Sequence, residues 1–113
     1  MAAASTVRIT SEHMQAAQFQ GQRVRAVGRL TNVADDQIQM QLAGPEGPPT
    51  VVFCSNSMHK YSPDTVGKGC YEVIGTLSNG SITEMQTVYM GDNFDMGMYA
   101  EMVSLTHQFP DIF

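Results

Sequence analysis

The chain has 113 residues, nine of them methionine, and sets six Lys plus Arg against eleven Asp plus Glu for a formal charge of −5. That length supports one domain with a single modest core. The acid excess argues against strong binding of a nucleic-acid backbone by the isolated chain, because such binding rests on neutralising phosphates with cationic side chains. No apolar run is long enough to cross a bilayer. The opening residues 1–6 lack the basic flank and apolar stretch of a secretory signal. Cys54 and Cys70 stand alone in strand-like contexts, without a C-x-x-C pair or matched histidines, which predicts free thiols in a reducing compartment. His13, His59 and His107 have no acidic or thiol neighbour at a metal-ligand spacing. Residues 91–95 offer oxygen ligands but not the register of a calcium loop. Asp35 and Asp36 fall where a turn is expected, and Gly67-Lys68-Gly69 is too short to cradle a phosphate. The expectation is therefore a non-enzyme with no metal and no cofactor.

In chain order, a short helix is expected over 11–19, ended by Gly21. A strand follows in which Val24, Ala26 and Leu30 alternate with Arg23, Arg25 and Arg29. Residues 37–42 alternate without a flaw, and 50–54 give a third strand after the Pro/Gly-rich turn at 44–49. The connection 55–69 is long for a hairpin and has room for a helical turn near 58–61. Strands at 70–77 and 81–89 flank Asn79-Gly80, a strong hairpin signal. Gly28 and Gly75 sit inside the first and fourth strands in matching contexts, where glycine marks a bend or bulge in a sheet that curls to close. Five strands, an insertion after the third and bent first and fourth strands predict an all-β core with flanking helices. The architecture is a five-stranded Greek-key OB-fold barrel followed by a C-terminal helix. An SH3-like barrel or a ferredoxin-like sheet accounts less well for this order. The parts are an arm and short helix at 1–22, the barrel at 23–92 and the helical segment at 93–113.

That last segment is the most informative. Asp95 can cap a helix N-terminus, and Phe94 and Tyr99 stand at the two positions of a hydrophobic staple. Pro110 stops the helix beyond Phe109. Met98, Met102, Leu105 and Phe109 form one apolar stripe, and Tyr99, Val103 and Thr106 a second beside it. Together they exceed the about 100° of arc that a one-sided surface helix needs. Such a helix wants two partners, and a chain this short supplies one. Met98, Tyr99, Met102, Val103, Leu105 and Phe109 are accordingly the candidate partner-binding residues, with the division between barrel-facing and partner-facing stripes left open.

Features for gripping single-stranded nucleic acid are weaker. The outward side of the second strand is Gln37, Gln39 and Gln41, neutral and without rings, where such barrels use a cationic groove with stacking aromatics. Arg25, Lys60 and Tyr61 are the candidate contacts for an alternative function, an OB-fold module that itself binds single strands.

The sequence resembles the family of the smallest subunit of replication protein A, the heterotrimeric eukaryotic single-stranded DNA-binding complex. Arg8-Ile9, Ala17-Gln18-Phe19, Val27-Gly28-Arg29-Leu30 and Val73-Ile74-Gly75 carry the resemblance. Phe94-Asp95-Met96-Gly97-Met98-Tyr99 and His107-Gln108-Phe109-Pro110 are closer still. It implies one OB fold followed by a helix that joins helices of the middle and large subunits in a three-helix bundle. It further implies a nuclear protein of DNA replication, repair and recombination, with single-stranded DNA held mainly by the other subunits and no membrane contact. The chain departs from the family in the longer 55–69 connection and in a tail that stops almost at once after Pro110.

Overall fold

A computed structural model describes residues 6–54 and 61–109. Its strands are β1 (Val7–Arg8), β2 (Arg23–Val33), β3 (Gln37–Leu42), β4 (Thr50–Phe53), β5 (Cys70–Ser78) and β6 (Ser81–Gly91), and helix α1 (Met96–Gln108) follows them. The sheet runs β1-β2-β3-β4-β6-β5, and an added β2–β5 pairing joins its ends. Strands β2 to β6 thus form a ring whose third and fifth members, β4 and β6, pair in parallel. This is the expected OB-type order. The difference is β1, which lies parallel to the start of β2 through only two residue pairs, Val7 with Val24 and Arg8 with Arg25. A two-residue strand carries no readable alternation, so nothing in the sequence announces it.

Alternation decides which side of each strand faces inward. Along β3, Ile38, Met40 and Leu42 are buried while the three glutamines are half-exposed. Val24, Ala26 and Leu30 of β2 meet Val73 and Leu77 of β5 and Ile82 of β6 in one core. The in-strand glycines sit where the ring closes tightly. A Cβ on Gly75 would lie 2.1 Å from the Thr83 carbonyl oxygen, beside a register shift between Ile74 and Gly75 that leaves Met85 as the extra residue. A Cβ on Gly28 would come within 2.9 Å of Met40 Cβ. The β5–β6 hairpin turns on Asn79 and Gly80, both at positive φ (53° and 79°), the pair of left-handed residues its tight two-residue turn requires.

The helix expected over 11–19 is instead two 3-10 turns, Ser11–His13 and Ala17–Phe19. Between them Ala16 is extended (φ −67°, ψ 126°). The Gln20 side-chain amide donates to the Met14 and Ala16 carbonyls at 2.9 Å each, replacing bonds that a continuous helix would make to itself. The break drops Phe19, 8 % exposed, into the core. In the long connection, the turn expected near 58–61 lies largely outside the described residues. The helical turn that is described there is Pro63–Thr65, capped by Ser62, whose hydroxyl accepts from the Asp64 N–H at 3.3 Å.

Candidate partner interface

Helix α1 begins as the sequence predicts. The Asp95 carboxylate accepts from the Met98 N–H at 2.9 Å, satisfying one of the free donors of the first turn. The Phe94 and Tyr99 rings meet at 6.0 Å across the entry. The far end is tied down as well. His107 Nε2 lies 2.7 Å from the Arg8 carbonyl oxygen, so it carries the proton and donates. Its ring stacks on His13 with centroids 4.4 Å apart and planes 22° apart, and Phe19 stands edge-on to both at 5.6 Å.

Between these anchors the helix covers the outside of the barrel. Tyr99 and Val103 pack with Val27 of β2 and Ala43 just past β3 in a second small core, bordered by Phe94, Met96, Ala100 and Met102. Val103 is fully buried and Tyr99 is 7 % exposed. Of the candidate partner residues, Tyr99 and Val103 thus lie against their own barrel, where Val27 and Ala43 are apolar positions on its outer face. Thr106 is half-buried, its hydroxyl donating to the Val103 carbonyl at 2.7 Å. The other stripe is left open. Met98 is 67 % exposed, Leu105 46 % and Phe109 48 %, with Met102 half-buried at the boundary. The signal that could have divided the stripes beforehand is Val27, a β-branched apolar residue on the same strand face as Arg23, Arg25 and Arg29.

Of the candidate nucleic-acid contacts, Tyr61 lies in the core and Arg25 is half-buried on β2. Tyr61 is 2 % exposed; its hydroxyl donates to Glu84 Oε2 at 2.7 Å and lies 2.6 Å from Thr87 Oγ1. Its ring packs on Tyr71 at 5.1 Å. Burial first, with hydrogen bonding to Glu84 adding, pushes its hydroxyl well above the ordinary tyrosine value. Tyr61 is therefore core, not a stacking platform. Arg25 is half-buried on the outer face, beside the helix, and its charge reaches the Tyr99 hydroxyl. Lys60 lies outside the described residues. One exposed ring that the sequence reading passed over is Tyr89, 49 % exposed. It leans on Tyr71 at 5.0 Å, and its hydroxyl donates to Asp92. Among the described residues no cluster of His, Cys, Asp or Glu could hold a metal ion, and no helix is long and apolar enough to cross a membrane. Cys54 is half-buried and Cys70 buried.

A closed five-stranded barrel and a helix fastened across its outer face define an OB-fold protein with a C-terminal helix. The chain belongs to the Replication factor A protein 3 family, the smallest subunit of replication protein A, which it matches over residues 1–113. In structure it is similar to a chain of U. maydis replication protein A bound to ssDNA, with a TM-score of 0.80 and 23 % identity over 99 % of this chain and 98 % of that one. It is also similar to the telomere capping protein Ten1 from Saccharomyces pombe, at a TM-score of 0.67 and 13 % identity, covering 92 % of this chain and 99 % of that one. A chain of the S. pombe Stn1–Ten1 complex gives a TM-score of 0.67 at 15 % identity, with 95 % and 96 % covered. No curated protein matches by sequence.

Proposed function

We propose that this chain is a non-catalytic assembly subunit of the single-stranded DNA-binding complex replication protein A. Its barrel is a rigid body that presents α1. The helix buries Met98, Met102, Leu105 and Phe109 against helices of the middle and large subunits in a three-helix bundle, and single-stranded DNA is held mainly by those subunits. The role belongs to DNA replication, repair and recombination, in the nucleus. The observation that carries this reading is the division of α1: Tyr99 and Val103 hold it to the barrel, while Met98, Leu105 and Phe109 remain about half exposed on one side. Three large apolar side chains in register on one helix are a liability in water and an asset at an interface. The acidic balance and the burial of Tyr61 favour assembly over direct DNA binding.

The test is co-purification. Met98→Asp with Leu105→Asp changes exposed positions only, so the variant should keep the circular dichroism and urea midpoint of the wild type yet fail to co-purify with the other two subunits. A folded double variant that still brings both partners down would overturn the proposal.

A further inference from the structure

Two runs of the family resemblance, Ala17-Gln18-Phe19 and His107-Gln108-Phe109-Pro110, stand far apart in the chain, yet the Phe19 ring meets the His107 ring edge-on at 5.6 Å. The meeting matters for α1. Only Tyr99 and Val103 of the helix are buried, and nothing after Val103 is. A rod seated at its start and middle can swing at its far end, and that end carries Leu105 and Phe109. His107 fastens it, with Nε2 donating to the Arg8 carbonyl oxygen at 2.7 Å and its ring lying on that of His13. The arm on the other side of this contact is firmly part of the barrel. Its Ile9, Met14 and Phe19 enter the main core, and its Ser11 N–H donates to the Ala43 carbonyl at 2.9 Å.

Hydrogen bonds fix the proton on each ring. The Thr10 N–H donates to His13 Nδ1 at 3.0 Å, so that nitrogen carries the lone pair. The proton of His13 is then on Nε2, which faces the Glu12 carboxylate at 3.8 Å. His107 keeps its own proton on Nε2 for the Arg8 carbonyl. A further proton on His13 can go only to Nδ1, where it meets the Thr10 N–H and ends the bond that caps the Ser11–His13 turn. It also sets a cation against His107 across a 4.4 Å stack. Burial and His107 oppose that proton while Glu12 favours it. The other charged neighbour is Arg8, exposed on β1, and Phe19 brings no charge. Neutral rings close the contact and acid opens it.

We propose that His13 and His107 form a clasp between the arm and α1 that sets the bearing of the last helical turn, and with it the placement of Leu105 and Phe109, so that the arm is a positioning element of the assembly interface. The proposal rests on the assembly reading and adds to it a cause for the direction of the open stripe. Partners that meet a turn already held need not spend binding free energy to hold it.

The test uses the full chain and its two partner subunits. His107→Ala removes both the donor and the ring. Hydrogen exchange at the Phe109 N–H, which donates to the Leu105 carbonyl at 2.9 Å, should quicken. The dissociation constant for the partners at pH 7.5 should rise about tenfold, the scale of one lost hydrogen bond and its stack. His13→Asn with His107→Gln keeps an acceptor for Thr10 and a donor for Arg8 on groups that do not titrate. Between pH 7.5 and pH 5.5 the wild-type constant should rise about three- to tenfold, within the tenfold per pH unit that one excluded proton allows. The Asn, Gln protein should lose that rise while matching the wild type at pH 7.5. A purely structural pair would leave the pH profile of assembly unmoved. Wild-type affinity in His107→Ala, or the same pH profile in the Asn, Gln protein, overturns the clasp. The Met98→Asp, Leu105→Asp variant separates the two levels. If it still assembles, the assembly reading fails; if it does not and His107→Ala assembles normally, only the clasp fails.

Discussion

Alanine at Val103 and alanine at Leu105 should have opposite consequences, although the two residues are two positions apart on one helix. Val103 is fully buried between α1 and the barrel. Removing its two methyl groups loses their transfer free energy and leaves a small cavity, together about 1.5–3 kcal/mol. Leu105 is 46 % exposed, and truncating it should alter the free chain by no more than about 0.5 kcal/mol. In the proposed complex the order should reverse. Full burial of a Leu, Met or Phe is worth about 1.5–3 kcal/mol. Met98, Leu105 and Phe109 are 67 %, 46 % and 48 % exposed, so roughly half of that remains to be gained at each. The triple alanine variant should then lose about 2–4 kcal/mol of association, or about 30- to 700-fold in dissociation constant. Urea denaturation of the free chain gives the first quantity, and titration of the chain into its partner subunits gives the second. Equal destabilisation of the free chain by Val103→Ala and Leu105→Ala, or a triple variant that binds within threefold of wild type, would refute the division of the helix into two faces.

Three other outcomes test the barrel and its arm. Gly75→Ala brings a Cβ to 2.1 Å from the Thr83 carbonyl oxygen; because backbone cannot step aside as a side chain would, the urea midpoint should fall by the equivalent of about 1–3 kcal/mol or more. Tyr61→Phe removes a donor from the buried Glu84 carboxyl, and thermal unfolding should show a loss of about 1–3 kcal/mol with the barrel's far-ultraviolet spectrum unchanged. Burial, then His107, lower the pKa of His13 below its ordinary 6.5, with Glu12 opposing. The unfolded chain therefore takes up that proton first. Stability is intact above pH 6.5 and falls as pH drops through the lowered folded value. His13→Leu should flatten the fall in urea midpoint between about pH 7 and pH 5; an identical slope in both proteins would exclude His13 as its source.

Much of the barrel was legible because alternation is local. Ile38, Met40 and Leu42 against three glutamines leave β3 one way to face, and Asn79-Gly80 specifies its hairpin through backbone conformations few other pairs adopt. The cap and staple of α1 were legible for the same reason: Asp95, Met98, Phe94 and Tyr99 lie within one turn of each other. The arm was not. Whether 11–19 forms one helix or two turns depends on Phe19 reaching the core and on Gln20 finding the Met14 and Ala16 carbonyls, contests that propensity does not register. Tyr61 misled for a related reason. Nothing near it in sequence announces Glu84 and Thr87, 23 and 26 residues away.

The amino-acid pattern alone established a small closed sheet, the start of a capped helix, and an excess of apolar surface on that helix, because each follows from contacts between residues close along the chain. It could not assign the excess. Which stripe lies down and which stays open depends on where Val27 and Ala43 surface on the outside of the barrel, and that depends on the ring closing through β2 and β5. The tertiary structure made that decision: Tyr99 and Val103 meet those two residues, and the geometry of a rigid helix then turns Met98, Leu105 and Phe109 toward water.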